Sequence, residues 1–303
     1  MDEGDAYQEL RPLLLSIAYR MVGSASEAED LVQEAYLRFH RAVSGGAEVA
    51  SPKAWLSAVT TRLAIDHLRS ARARRERYVG DWLPEPLVTG EADDPAASHA
   101  ETVDTLSLAF LVLLERLSPV QRAVFVLHEV FGYGYAEIAE LVGRSEGNCR
   151  QIAARARRHV EAGRPQFEAS RVQREELARR FFAAVDQGDT QGLVGLLAAD
   201  AVLYGDGGGK APALAAPVHG AERVARLLLG LARRGRVAGM RYQPAEINGH
   251  PGLLARDPAG RLLSVLALDI ADGRVQTVRS IVNPDKLRHL GPVGDLAALL
   301  GNG

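Results

Sequence analysis

Tyr135-Ala136-Glu137-Ile138-Ala139-Glu140-Leu141-Val142, then Gly143-Arg144, then Ser145 through Val160: this stretch reads as a helix–turn–helix. Ile138, Ala139 and Leu141/Val142 give the first short helix an apolar side. Gly143 supplies the turn, because glycine reaches positive φ without a Cβ penalty. Ser145 is an N-cap for the second helix, its side-chain oxygen free to accept from the first turn. In that helix Cys149, Ile152, Ala153, Ala156 and Val160 recur at helical spacing and are expected to face inward. The other side carries Asn148, Arg150, Gln151, Arg155, Arg157 and Arg158. Asn and Gln pair bidentately with adenine and Arg with guanine, so this face is a candidate reader of a major groove. The plain alternative is a solvated basic face on an ordinary amphipathic helix.

Working outward, residues 104–165 complete a helical module. Leu106, Phe110, Leu113/Leu114 and Leu117 make one face, and Ser118-Pro119 opens the next helix with serine as cap and proline at its first position. Val124, Phe125, Leu127, His128 and Phe131 follow, with Gly132 as stop. His128-Glu129 is not a zinc motif, since Gly132 stands where the second histidine would be. From Arg144 to Arg164 there are six arginines against Glu146 and Glu161, a local positive field in a chain whose net charge is −2.

A second helical module is expected over residues 1–80. Tyr7, Leu10, Leu13/Leu14, Ile17 and Met21 share one face, and Gly23 ends that helix. Ser26 and Glu29 have capping-box spacing for the next helix, with Leu31, Ala35, Tyr36 and Phe39 inward and Asp30, Gln33, Glu34 and Arg38 outward. Ser51-Pro52 starts a third helix bearing Trp55, Leu56, Val59, Leu63 and Leu68. The first 40 residues hold eight acidic residues and three arginines, whereas residues 62–77 hold six arginines against Asp66 and Glu76. Lys53, Trp55, Arg62 and Arg69 combine cations for phosphate with an aromatic platform for a base; Trp55 in a helical core is the competing reading.

Between the modules lies an acidic linker, residues 81–103, with two prolines in Asp81-Trp82-Leu83-Pro84-Glu85-Pro86-Leu87 and no Lys or Arg. Such a sequence stays extended, yet Trp82, Leu83 and Leu87 are apolar and look like a docking peptide. At ~3.3 Å per residue the linker could span roughly 75 Å, more than the ~50 Å of one and a half turns of duplex.

After residue 170 the pattern changes from helices to alternating strands: a helix over 171–185, a short one after Gly188-Asp189, a helix over 221–233, and strands near 201–204, 218, 240–247, 252–256, 262–270 and 275–282. This is an α+β order. Asp206-Gly207-Gly208-Gly209-Lys210 is not a P-loop, because Tyr204 replaces the first glycine and Ala211 the Ser/Thr. It reads either as a flexible hairpin loop or as a seat for the acidic linker, with Asn283-Pro284-Asp285-Lys286 as its other side. Only Lys53, Lys210 and Lys286 are lysines; the other 33 of the 36 basic residues are arginines. Two of the three retained lysines fall in these motifs, where a compact ammonium is wanted. His219, His250, Asp269 and His289 are scattered and suggest no acid–base set.

At 303 residues the chain accommodates two or three domains. Its 47% hydrophobic and 24% charged residues are those of soluble globular protein. One cysteine, Cys149, excludes a disulfide framework and a multi-cysteine zinc site. No apolar stretch is long enough to cross a bilayer and the acidic N-terminus is no signal peptide, so a cytoplasmic protein is expected.

The stretches Tyr19-Arg20-Met21-Val22-Gly23 and Glu27-Ala28-Glu29-Asp30-Leu31-Val32-Gln33-Glu34-Ala35-Tyr36-Leu37-Arg38 resemble region 2 of extracytoplasmic-function (ECF) sigma factors. Leu117-Ser118-Pro119, Phe131-Gly132-Tyr133, Glu137-Ile138-Ala139 and Arg150 resemble their region 4. The Trp82–Leu87, Asp206–Lys210 and Asn283–Lys286 motifs resemble the sigma-J-like group with a SnoaL-like C-terminal extension. The resemblance implies a multidomain fold: two all-α helical domains, sigma region 2 (1–80) and the helix–turn–helix region 4 (104–165), plus a C-terminal α+β SnoaL-like cone (170–290) and a tail (291–303). It implies a sigma factor for transcription initiation, not an enzyme, with no catalytic residue, metal or cofactor, and with core RNA polymerase (β′ clamp helices, β flap) and promoter DNA as partners. Asp30, Gln33 and Glu34 would bind core polymerase. Lys53, Trp55, Arg62 and Arg69 would serve the −10 element; Arg62 stands where many members carry asparagine. Ser145, Asn148, Arg150, Gln151 and Arg155 would serve the −35 element. Trp82, Glu85, Asp206, Lys210, Asn283, Asp285 and Lys286 would couple the linker to the C-terminal domain and modulate activity. The alternative is a bifunctional DNA-binding protein whose cone binds or converts a small ligand; a repressor using only the helix–turn–helix leaves the acidic face of residues 30–34 unexplained.

Overall fold

A capped helix followed by a left-handed glycine recurs along the chain and sets where its elements begin and end. The computed structural model describes residues 3–75, 78–90, 105–162 and 169–301. These fall into two units, residues 1–76 with 91–164 and residues 77–90 with 165–303. The linker residues 91–103 and Arg164 lie outside the described residues, as do the side chains of the arginines at 72, 74, 75 and 77.

In the first unit α1 (Glu3–Val22) packs with α2 (Ala25–Ser44) and α3 (Pro52–Arg75). Every residue of α1 from Leu13 onward is buried, so the single apolar face expected from the sequence is wider than its periodicity implies. Helix α2 begins two residues earlier than the Ser26/Glu29 spacing suggests: Ser24 is its N-cap and accepts from Glu27 N at 3.1 Å. Both pairs have the same spacing, and the earlier one follows Gly23, whose φ of +70° turns the chain out of α1. The buried side of α2 is Ala28, Val32, Ala35 and Phe39.

The second set of helices belongs to the same unit: α4 (Leu108–Leu114), α5 (Pro119–Phe125), a π turn at Val126–Val130, α6 (Tyr135–Val142) and α7 (Glu146–Glu161). Ser118 and Gln121 form a reciprocal capping box on α5. Two arginines, a residue type usually exposed, are buried where the two sets meet. Arg122 donates to Met21 O at 2.6 Å and to Glu115 Oε1 at 2.6 Å. Arg20 donates to Ser16 Oγ at 2.5 Å and Thr105 Oγ1 at 3.3 Å, beside the Phe131 ring. Burial lowers the pKa of Arg122 to about 9 and of Arg20 to about 10. Their hydrogen bonds offset the cost of taking two guanidinium groups out of water.

In the second unit α8 (Arg171–Gln187), α9 (Thr190–Leu196) and α10 (Ala221–Val237) cover one face of a sheet. The sheet contains β1 (Val88–Thr89), β2 (Leu197–Asp206), β3 (Val218–His219), β4 (Arg241–Ile247), β5 (His250–Arg256), β6 (Leu262–Ala271) and β7 (Arg274–Ile281), in the order β1-β4-β5-β6-β7-β2-β3. All pairs are antiparallel except β2 with β7, which is parallel. The SnoaL-like cone expected from the sequence is corrected here. The sheet is open, and two-residue strands stand at its two ends rather than pairing to close it. Side-chain alternation along a strand is set locally, but closure depends on which edges meet, and no local pattern encodes that. Leu203, Leu268, Ile270, Val275 and Val278 pack with Phe181, Leu193, Val224 and Leu228 beneath the helices. Tyr204 and Asp206 alternate with Leu203 and so face the other way.

Candidate nucleic-acid interface and docked linker

The geometry of the helix–turn–helix follows from its caps. Gly143 adopts φ +66° as the left-handed C-cap of α6, and Ser145 accepts from Asn148 N at 3.3 Å to open α7. Cys149, Ala153, Ala156 and Val160 are buried, and burial raises the Cys149 thiol pKa. Ser145, Asn148, Arg150, Gln151 and Arg155 are all exposed. At 100° per residue, Asn148, Gln151, Arg155 and Arg158 lie on one stripe opposite the buried side. Arg150 lies on the flank instead. It pairs with Glu146 at 2.5 Å, and its guanidinium sits 5.7 Å from the centre of the Tyr135 ring. Tyr135 in turn stacks on His128 at 4.1 Å, and His128 Nδ1, in the π turn, lies 3.0 Å from Tyr133 O beyond it.

On α3 the residues expected to serve one purpose divide. Trp55, Arg62 and Arg69 are spaced by seven and share a face, while Lys53, exposed, points to the opposite side. Trp55 is half-buried and packs on Phe39 at 5.4 Å. Arg69 pairs with Asp66 at 2.9 Å. Arg62 donates to Leu141 O at 3.0 Å and Glu140 O at 2.9 Å, so its charge caps the negative end of α6. On α2, Asp30 and Gln33 are exposed and Glu34 pairs with Arg38 at 2.7 Å. Leu37, 39% exposed, continues their stripe.

In the second unit residues 78–90 lie along the sheet, and Asp206 anchors them. It is fully buried and accepts from Leu83 N at 2.8 Å, Tyr78 Oη at 2.5 Å and Lys286 Nζ at 2.7 Å. Lys286 also donates to Leu83 O and lies 4.3 Å from the centre of the Trp82 ring. Asn283 Nδ2 donates to Tyr78 Oη at 2.8 Å. Gly208 must be glycine, since a Cβ there would collide with Asn283 Nδ2, at a φ of +57°. Further along, His289 Nε2 reaches Pro86 O at 2.8 Å. Leu87 and Asn248 exchange hydrogen bonds at 2.8 Å each, and Val88–Thr89 pairs with β4. Leu83 and Leu87 are 3% and 8% exposed, a burial worth roughly 1.5–3 kcal/mol for each side chain.

Two family models match the helical unit: sigma-70 region 2 over residues 6–74 and sigma-70 region 4 over residues 107–160. Over 294 residues the chain is 41% identical to the ECF RNA polymerase sigma factor SigJ of Mycobacterium tuberculosis, covering 94% of this chain and 93% of that protein. It is 34% identical over 288 residues to the probable ECF sigma factor SigI of the same species, covering 93% of each. This chain belongs to the extracytoplasmic-function sigma factors. The crystal structure of M. tuberculosis SigJ superimposes with a TM-score of 0.75 at 38% identity, covering 93% of this chain and 97% of that one. As an ECF sigma factor the protein directs RNA polymerase in transcription initiation and is not an enzyme. No helix among its described residues is long and apolar enough to cross a membrane.

Within this sigma factor, the residues singled out around the linker divide much as those on α3 do. Trp82, Asp206, Asn283 and Lys286 meet at one point, whereas Lys210 pairs with Asp285 on the surface. Glu85 is buried and lies 3.7 Å from His289. The linker is therefore gripped by Lys286 through a main-chain carbonyl, not by Lys210 through a carboxylate. Sequence reading did not single out Tyr78 or Asn248. Tyr78 sits at the end of an arginine run that drew attention to charge. Asn248 could have been found as the Asn-Gly turn between two strands; it adopts φ +51°.

Proposed function

We propose that this sigma factor reads the −35 element with α7 and works at the −10 element with α3, while the Asp30, Gln33 and Leu37 stripe of α2 docks on core polymerase in the cytoplasm. The observation that carries the reading is the stripe Asn148, Gln151, Arg155 and Arg158, exposed together while the apolar side of α7 is buried. Those side chains match base edges in a major groove, and helix–turn–helix proteins present their second helix there. Trp55 and Arg69 share a face of α3 that suits a separated strand, and Arg62 between them is engaged by the α6 carbonyls and would have to leave them to take part. The C-terminal unit acts through its hold on residues 78–90, which sets how far the helical modules can reach. Purified full-length protein with core polymerase tests the reading. Run-off transcription should start at a defined promoter and fall when its −35 bases are changed; transcription indifferent to those bases would refute it.

Arg62 carries a further expectation. Its two bonds to α6 carbonyls hold α3 against the helix–turn–helix. Arg62→Ala should cost roughly 1–3 kcal/mol, since hydrogen bonds from a charged donor are the stronger kind. The cost should appear as a lower melting temperature in the full-length chain. An unchanged melting curve would mean that the bonds add nothing to folding.

A further inference from the structure

Helix α10 carries a charge pattern that none of the roles above uses. From Arg223 to Ala245 the sequence holds six arginines and no Asp or Glu, in a chain whose net charge is −2. Arg223, Arg226, Arg233 and Arg234 are all exposed. They fall within an arc of roughly 100°, opposite the buried Val224, Ala225, Leu228 and Ala232. Among the described residues none of these four is in an ion pair, whereas Arg236 of the same helix pairs with Asp186 at 3.5 Å and Arg179 of α8 with Glu176 at 2.7 Å. Arg38 of α2, Arg150 of α7 and Arg179 of α8 are each matched with a carboxylate on their own helix; the only carboxylate of α10 is Glu222, at the edge of the arc.

The middle of the stripe is a glycine. Gly230 is exposed, and a Cβ there would meet nothing within 4 Å. A mid-helix glycine is less stable than alanine, and nothing packed inside this unit requires it. It leaves the helix backbone open to close approach from outside. The two arginine pairs flank it, with centres roughly 14 Å apart along the axis. That spacing suits phosphate rows on either side of a groove about 12 Å wide. A docking protein would be expected to find an apolar or aromatic anchor at the centre; the exposed apolar residues of α10, Leu231 and Val237, lie to one side of the stripe and beyond its last arginine pair, and the centre carries no side chain. Planar guanidinium groups bind phosphate oxygens two at a time.

We infer that the outward face of α10 is an additional, sequence-independent contact for duplex DNA, gripping phosphates on both sides of a groove. The inference rests on the reading of this chain as a promoter-binding factor, and goes beyond it by giving the C-terminal unit a direct contact with DNA.

The test compares full-length holoenzymes on a promoter duplex and on a scrambled duplex over a range of salt. Exchanging Arg223, Arg226, Arg233 and Arg234 together for glutamine should flatten the dependence of log affinity on log salt by about 0.9 for each phosphate no longer neutralised, so by up to about 3.6. The weakening should be the same on both duplexes, with the preference for the promoter unchanged. The fourfold lysine variant should keep most of the slope. Gly230→Glu, which improves helix propensity, should weaken binding to both duplexes at least tenfold while the melting temperature holds or rises. Wild-type salt dependence in both the glutamine and Gly230→Glu proteins overturns the inference. So does a defect confined to promoter preference, or one confined to assembly with core polymerase. Wild-type holoenzyme that cannot tell the two duplexes apart would instead sink the promoter reading, and the salt slope would still judge α10.

Discussion

Asp206→Asn is expected to destabilise the C-terminal unit by about 3–5 kcal/mol, because it leaves Lys286 buried with no charge to oppose it. Asp206 is fully buried, and Lys286 is 6% exposed. The carboxylate also accepts from Leu83 N and Tyr78 Oη, so the damage is not confined to one bond. Burial and the neighbouring carboxylate push the Tyr78 phenol pKa up, so Tyr78 donates throughout the ordinary pH range. The melting temperature should fall by roughly 2–4 °C per kcal/mol for a domain of this size. Protease cleavage between residues 78 and 90 should become faster. Pairing the change with Lys286→Met should recover most of the stability, since no orphan charge remains. Promoter-dependent transcription by Asp206→Asn should depart from wild type if residues 78–90 set the reach of the helical modules. A single variant that melts and cleaves like wild type would show that the cluster does not hold the linker.

The second large effect belongs to α7. Gln151→Ala and Arg155→Ala should each lower initiation at promoters with an intact −35 element by roughly 1–3 kcal/mol, about 5- to 150-fold. Neither should matter where that element has been scrambled. Arg150→Ala should do less, because Arg150 is already engaged by Glu146 and Tyr135 on the flank of the helix. Initiation assays on matched templates decide the matter; equal defects on both templates would point to weaker phosphate binding or misfolding rather than base reading.

Helix ends are legible in the chain because their signals are local; what depends on distant residues is not. Ser118-Pro119, Ser145 and Gly143 mark helix ends because each satisfies or redirects backbone groups within a few residues. Ser24 and Ser26 carry the same spacing to a glutamate, so spacing alone does not choose between them. The buried side of α7 and the place of Arg150 on its flank follow from the period, but the contact of Arg150 with the Tyr135 ring, fifteen residues earlier, does not. The apolar residues within the acidic linker announce that they seek cover. Which lysine receives them is hidden, because Lys210 and Lys286 differ only in where the open sheet and the turn after β7 place them. Arg20 and Arg122 look like surface charge, and only tertiary contact with Thr105 and Met21 explains their burial. The openness of the sheet is likewise out of reach, because it follows from edges that never meet.

The protein contains two tryptophans, and they sit in different units: Trp55 against Phe39 and Trp82 beside the Lys286 ammonium. A Trp55→Phe protein would therefore glow from a single indole, with its emission colour governed by whether a cation stands over the ring. The molecule thus carries a built-in optical gauge of linker occupancy, one that could be followed in real time as polymerase and promoter are added.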